Sequence, residues 1–201
     1  MKKQSCNKRA FTLVEALVAI SILMIAIASP MTLAQKGLST ATLSKDQMIA
    51  SFLTQDAIEA VKNIRDQIAI SSNSGDWLET ILHNCICSND IECNFDSASS
   101  KYCTIDTTLP TWDSNSAKVG DPVNPAKLKI SYTSSGVGNF LKYDYQGWNG
   151  GTDSKFTRYI NIRKTSNPNE AVVNVRVSWS SSTGVQKIDV QDFIYNYSEN
   201  L

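Results

Sequence analysis

Glu15 is the residue whose chemistry most needs explaining. It is the only charge in the 18 residues from Phe11 to Ala28, FTLVEALVAISILMIAIA, and an unpaired carboxylate at that depth in hydrocarbon costs roughly 2–4 kcal/mol. Such a group calls for ion pairing. If the chain is cut between Ala10 and Phe11, a new α-amino group appears one helical turn before Glu15. That amine is a cation of matching depth, on the same chain or on a neighbouring one.

The cysteines are the second reactive set: Cys6, Cys85, Cys87, Cys93 and Cys103. Cys6 leaves with any leader cut after Ala10, so the product keeps four, an even number suited to an oxidising compartment. Of the three pairings open to four cysteines, the one that joins Cys85 to Cys87 spans a single residue and is strained. Cys85 and Cys87 are each expected to bond one of Cys93 and Cys103, each closure contributing about 2–3 kcal/mol on the loop-entropy model. A rival zinc site would add His83, the sole histidine. The Cys-x-Cys pair lacks the usual two-to-four-residue ligand spacing, however, and an exported chain tends to oxidise. His83 reads instead as a surface residue. There is no Ser-His-Asp set, phosphate loop or metal-ligating helix, so no catalytic residue and no cofactor is expected.

These residues need elements to hold them. The span from Phe11 is long enough to cross a bilayer at about 1.5 Å per residue. The basic segment MKKQSCNKRA before it stays in the cytoplasm by the positive-inside rule, which puts everything after the span outside. An ordinary secretory signal would be cut beyond its apolar core, around Ala26 to Ala34. A plain signal anchor would leave Glu15 snorkelling toward the cytoplasmic face.

The run RAFTLVEALVAISIL closely resembles the cleavage and methylation motif of type IV pilins and type II secretion pseudopilins. The resemblance implies a cut by prepilin peptidase after Ala10, N-methylation of Phe11, and pairing of Glu15 with a neighbouring subunit's terminal amine. Ala10 stands where the family usually has Gly. The resemblance covers some 15 to 20 residues and speaks to the assembly system more than to the head.

Beyond Ala28, Ser29-Pro30 is expected to kink or locally melt the helix, because proline lacks a donor and clashes with the preceding turn. Ile49, Leu53, Ala57, Val61, Ile64 and Ile68 then recur every three or four residues, one face of a helix for a sheet to cover. The breakers Ser71, Ser72, Asn73 and Gly75 end it, and a polar connecting region follows, with one helical turn around Trp77 to Leu82. After Pro125 the period becomes two. Leu128, Ile130 and Tyr132 share a side, as do Phe156, Ile160 and Ile162, and Val173, Val175, Val177 and Trp179.

The expected organisation is a leader over 1–10, an assembly helix over 11–29, an amphipathic helix over 30–70, a cysteine-bearing polar region over 71–125 and an antiparallel sheet of four to five strands over 126–201. One core is typical of this length. The fold class is α+β, helix first and sheet after, which resembles the pilin fold. The loop YDYQGWNGGTDSK offers Tyr143, Asp144, Tyr145, Trp148, Asn149 and Asp153 to a ligand, but it lacks the spaced oxygens of a calcium loop.

The chain has 19 bases and 19 acids; losing Lys2, Lys3, Lys8 and Arg9 leaves 15 against 19, a net of −4. The signs segregate along the sequence. Eight acids fall between Asp76 and Asp121, while nine bases fall between Lys127 and Lys187. One end of the head is therefore expected to be acidic and its sheet basic.

These features imply a structural subunit of a type IV pilus or related filament, a minor pilin by its long polar region. The alternatives within the class are a secretion pseudopilin and a competence filament subunit. A filament-tip receptor for DNA or a surface is the other class, suggested by the basic bias of the sheet. The implied partners are other pilin subunits, prepilin peptidase, an inner-membrane assembly platform and, before assembly, membrane lipid. The implied location is a single-pass inner-membrane protein with an exported head, then an extracellular or periplasmic filament.

Overall fold

The computed structural model describes residues 12–70, 77–78, 85–107, 117–119, 126–135, 138–145 and 151–196. The leader with Cys6, Ala10 and Phe11, most of the turn expected over Trp77 to Leu82, His83, and Trp148 and Asn149 of the polar loop lie outside the described residues. The chain divides into two compact units, Met1–Lys45 and Asp46–Leu201.

Helix α1 runs Leu13–Ile70 as one element of 58 residues with Pro30 inside it. The local melting expected at Ser29-Pro30 does not occur. Proline removes a single backbone donor, and the helix formers on both sides of it keep their own bonds. In the second unit, α1 buries Asp46, Ala50, Leu53, Thr54, Ala57, Ala60, Val61, Ile64 and Ile68. This is the stripe read from the sequence, widened by alanines that let a sheet come close; Ile49 is only half-buried.

Among the described residues the sheet has eight strands: β1 Ile86–Cys87, β2 Cys103–Ile105, β3 Ala117–Val119, β4 Lys127–Ser135, β5 Gly138–Asp144, β6 Thr152–Lys164, β7 Glu170–Ser181 and β8 Gly184–Tyr195. The four to five strands expected after Pro125 are all present as β4–β8, and the added β1–β3 come from the polar region. Their two or three residues are too short to show a period, so only pairing reveals them. Strand β6 organises the rest. One side takes β7 from Phe156 to Lys164; along the other lie β4 at Thr152 to Thr157, β2 at Ile160 and parallel β1 at Ile162 and Arg163. Strand β8 pairs with β7 along its whole length, and the turn into it is closed by Gly184 at φ 111°, a backbone region that suits glycine.

The core has two parts, both against the helix. Ala57, Ala60, Val61, Ile64 and Ile68 meet Ile160, Ile162, Val173, Val175 and Ile194. Ala50 and Leu53 meet Leu128, Phe156, Val177 and Trp179. Each such Val, Leu, Ile or Phe side chain, fully buried, contributes roughly 1.5–3 kcal/mol. This is an α+β architecture consistent with a pilin-like fold.

Candidate functional site

The first candidate site is the start of α1. Thr12 precedes the helix, and its Oγ1 accepts from the Glu15 backbone N–H at 3.3 Å. The Thr12 carbonyl accepts from Ala16 N at 3.2 Å. Thr12 is therefore the N-cap and Glu15 the third helical residue, a Thr-x-x-Glu spacing in which a carboxylate also complements the helix dipole. The signal for Thr12 in the sequence is its hydroxyl three residues before the acid at the edge of the apolar run.

Glu15 is exposed, and so are the apolar side chains after it on every side of the helix, among them Leu17, Val18, Ile22, Leu23, Ile25 and Ile27. An 18-residue window here has mean hydropathy 2.3 and none of it is buried, so α1 is long and apolar enough to cross a membrane. A helix apolar all round needs lipid or other helices.

Residues 5–29 match the family model of the prokaryotic N-terminal methylation motif. The match supports a type IV pilin-like prepilin. The matched stretch contains Ala10, Phe11 and Glu15. A prepilin of this type is a structural precursor and not an enzyme; it assembles with other pilin subunits, is processed by prepilin peptidase, and fits an inner-membrane anchor. No curated protein and no solved structure matches the chain.

The second candidate site is the outward face of the sheet in the head. Disulfides join Cys85 to Cys103 and Cys87 to Cys93, with Cα atoms 4.8 and 5.4 Å apart. All four sulfurs are consumed, so none of these thiolates is left for zinc. The Cys85–Cys103 bond lies in the core, whereas Cys87–Cys93 closes a loop that folds over the outer face. There Asn161 Nδ2 donates to the Cys93 carbonyl at 2.8 Å, and Phe95 meets Tyr159 with ring centres 6.0 Å apart.

This loop overturns the expected charge segregation. Arg176 Nη1 lies 2.6 Å from Asp96 and its Nε 2.6 Å from Asp189; Lys187 lies 3.1 Å from Asp96, and Arg163 3.0 Å from Asp90. The acids of the polar region sit on the bases of the sheet, because loop acids over strand bases lower the energy of both. Hydrogen bonds from Arg176, and then from Lys187, draw the Asp96 carboxyl down from 3.8 to about 2. Asp189 and Asp96 in turn raise Arg176 above its ordinary value. Lys155 is likewise paired with Asp46 at 2.5 Å, and buried Arg158 with Asp56 at 2.8 Å. Five of the sheet's bases thus already hold acids, which removes much of the basic face on which the DNA reading rested.

The polar loop after β5 is described only at its ends. Tyr145 packs inward, its hydroxyl donating to the Arg158 carbonyl at 2.9 Å, and Tyr143 packs edge-on against Phe156. Asp153 lies within β6, opposite Lys129 of β4.

Proposed function

We propose that this chain is a structural subunit, a minor pilin, of a type IV pilus or related filament. The observation that carries the reading is the methylation-motif match over residues 5–29, continuous with a helix whose large apolar side chains from Leu13 to Ile27 are exposed and whose first 14 residues carry Glu15 as their only charge. Prepilin peptidase cuts after Ala10 and methylates Phe11. Glu15 then pairs with the terminal amine of a neighbouring subunit, which removes the cost of an isolated carboxylate among apolar helices.

In this reading residues 1–10 are the leader and 11–29 the membrane and assembly segment. Residues 30–70 carry the head on their amphipathic face, 71–125 form the disulfide-bearing region, and 126–201 the sheet. Before assembly the protein is held in the inner membrane among lipid, with its head exported, and an assembly platform moves it into an extracellular or periplasmic filament. The long disulfide-stapled region favours a minor subunit, whose head does more than pack.

The test is the N-terminus of the membrane-extracted protein, read by mass spectrometry. N-methylated Phe11 establishes the assignment; an intact Met1, or a terminus beyond Ala28, overturns it.

A further inference from the structure

The head has a polar cleft on the outward side of its sheet. It measures about 460 Å³, in the range of roughly 300–1,000 Å³ typical of small-ligand sites, and lies between the Cys87–Cys93 loop and the outward side of β7 and β8. Asp90, Asn94 and Phe95 line it from the loop, and Asn174, Asp189 and Gln191 from the strands.

The strand register builds the floor. Asn161, Asn174 and Gln191 lie opposite one another across β6, β7 and β8, a row of three side-chain amides. Asn174 Nδ2 donates to Asn161 Oδ1 at 2.9 Å, and Asn161 in turn donates to the Cys93 carbonyl, so the row is anchored to the loop. This orients Asn174 and leaves its Oδ1 as an acceptor. Gln191, at the outer end of the row, is exposed and has no side-chain partner among the described residues. Two and four residues further along the same side of β8 stand Phe193 and Tyr195, 48% and 42% exposed.

The charges around the cleft decide what it can take. Arg176 is held by Asp96 and Asp189, and Arg163 by Asp90. An anionic ligand would be repelled by Asp90 and Asp189 beside each guanidinium, whereas a neutral one can use the spare lone pairs of these carboxylates with the pairs intact. Open amides and carboxylate acceptors in the cleft, with the exposed rings of Phe193 and Tyr195 further along β8 and outside its lining, suit an extended ligand with many hydroxyls and apolar C–H faces.

We infer that this cleft binds a neutral glycan segment, through the Asn174–Gln191 amide row and the exposed rings of Phe193 and Tyr195. Hydroxyls exchange hydrogen bonds with the amides and carboxylates, and the C–H face of a sugar ring lies on Phe193.

The experiment applies full-length protein in detergent to an array carrying maltohexaose, cellohexaose and chitohexaose beside sialylated and sulfated glycans. Retention on at least one neutral hexasaccharide is expected, little changed by salt. Gln191→Ala and Phe193→Ala should each weaken it roughly fivefold to tenfold, as loss of one hydrogen bond or one stacking contact does. Both side chains are exposed on the last strand, and circular dichroism confirms that the variants keep the fold. Val185→Ala, six residues from Gln191 on the same strand, should leave binding unchanged. Failure of every neutral glycan to bind at millimolar concentration, binding confined to the anionic glycans, or equal binding by wild type, Gln191→Ala and Phe193→Ala overturns the proposal. None of these outcomes bears on processing at Ala10.

Discussion

Arg158 shows how much one side chain can hold together. It is fully buried; Nη1 donates to the Leu53 carbonyl at 3.2 Å and to Asp56 at 2.8 Å, and Nη2 donates to the Ile105 carbonyl at 2.7 Å. One guanidinium thus ties α1, β6 and β2 together. The sequence contained the signal, since period two puts Arg158 on the side of Phe156 and Ile160, but a charge there reads as exposed until its partners are known. Asp96 supports a pH prediction. Its carboxyl is depressed from 3.8 to about 2, chiefly by Arg176, so its pairing is fully present above about pH 4 and is lost as pH falls through about 2. Asp192, lowered by its hydrogen bond from Lys62, acts in the same direction at the contact between helix and sheet. Protection of residues 88–100 against hydrogen exchange, taken relative to the intrinsic rate at each pH, should therefore fall between pH 4 and pH 2, and Asp96→Asn should show the low protection already at pH 5. A flat profile would mean that these ion pairs do not hold the loop.

Among the elements, the two disulfides differ in what they staple. Cys85–Cys103, 18 residues apart, is buried in the core and joins the start of β1 to β2; Cys87–Cys93, six apart, closes the loop over the outer face. Loop entropy alone gives about 3 and about 2 kcal/mol. Cys85→Ser with Cys103→Ser also places two hydroxyls in an apolar core, so this pair of changes should lower stability more than Cys87→Ser with Cys93→Ser. Denaturant titration of the full chain, followed by tryptophan fluorescence, checks the order. The reverse order would mean that the head's stability rests on the loop. Strands β4 and β6–β8 and the helical stripe are legible because long periodic segments report their buried face, whereas β5, GNFLKYD, has no apolar alternation of its own. Strands β1–β3 are not legible either, because two or three residues have no period and pair only once β6 is in place.

For the whole molecule, the two ends of the chain pose different physical problems. The unit Asp46–Leu201 buries its own apolar residues, whereas the described apolar residues of Met1–Lys45 are exposed nearly throughout. Lipid or other subunits must cover the latter. Glu15→Ala removes the acid without shortening the span, so under the proposed function the variant should stay in the membrane fraction, be cut after Ala10 as efficiently as wild type, and be depleted at least about tenfold from sheared filaments, since the proposed charge pair with a neighbouring amine would be lost in a low-dielectric setting. Wild-type incorporation would show that Glu15 acts only as part of the helix cap with Thr12.

Sequence alone determined the apolar span with its single acid, the α+β order and the face that the helix buries. Each is a local pattern, set by hydropathy and period over neighbouring residues. Tertiary structure alone decided which cysteines pair, that Arg158 lies inside, and that acids and bases separated along the chain neutralise one another. These depend on residues dozens of positions apart being brought within a few ångströms, and Coulomb and hydrogen-bond energies act over distance in space, whatever the distance in sequence.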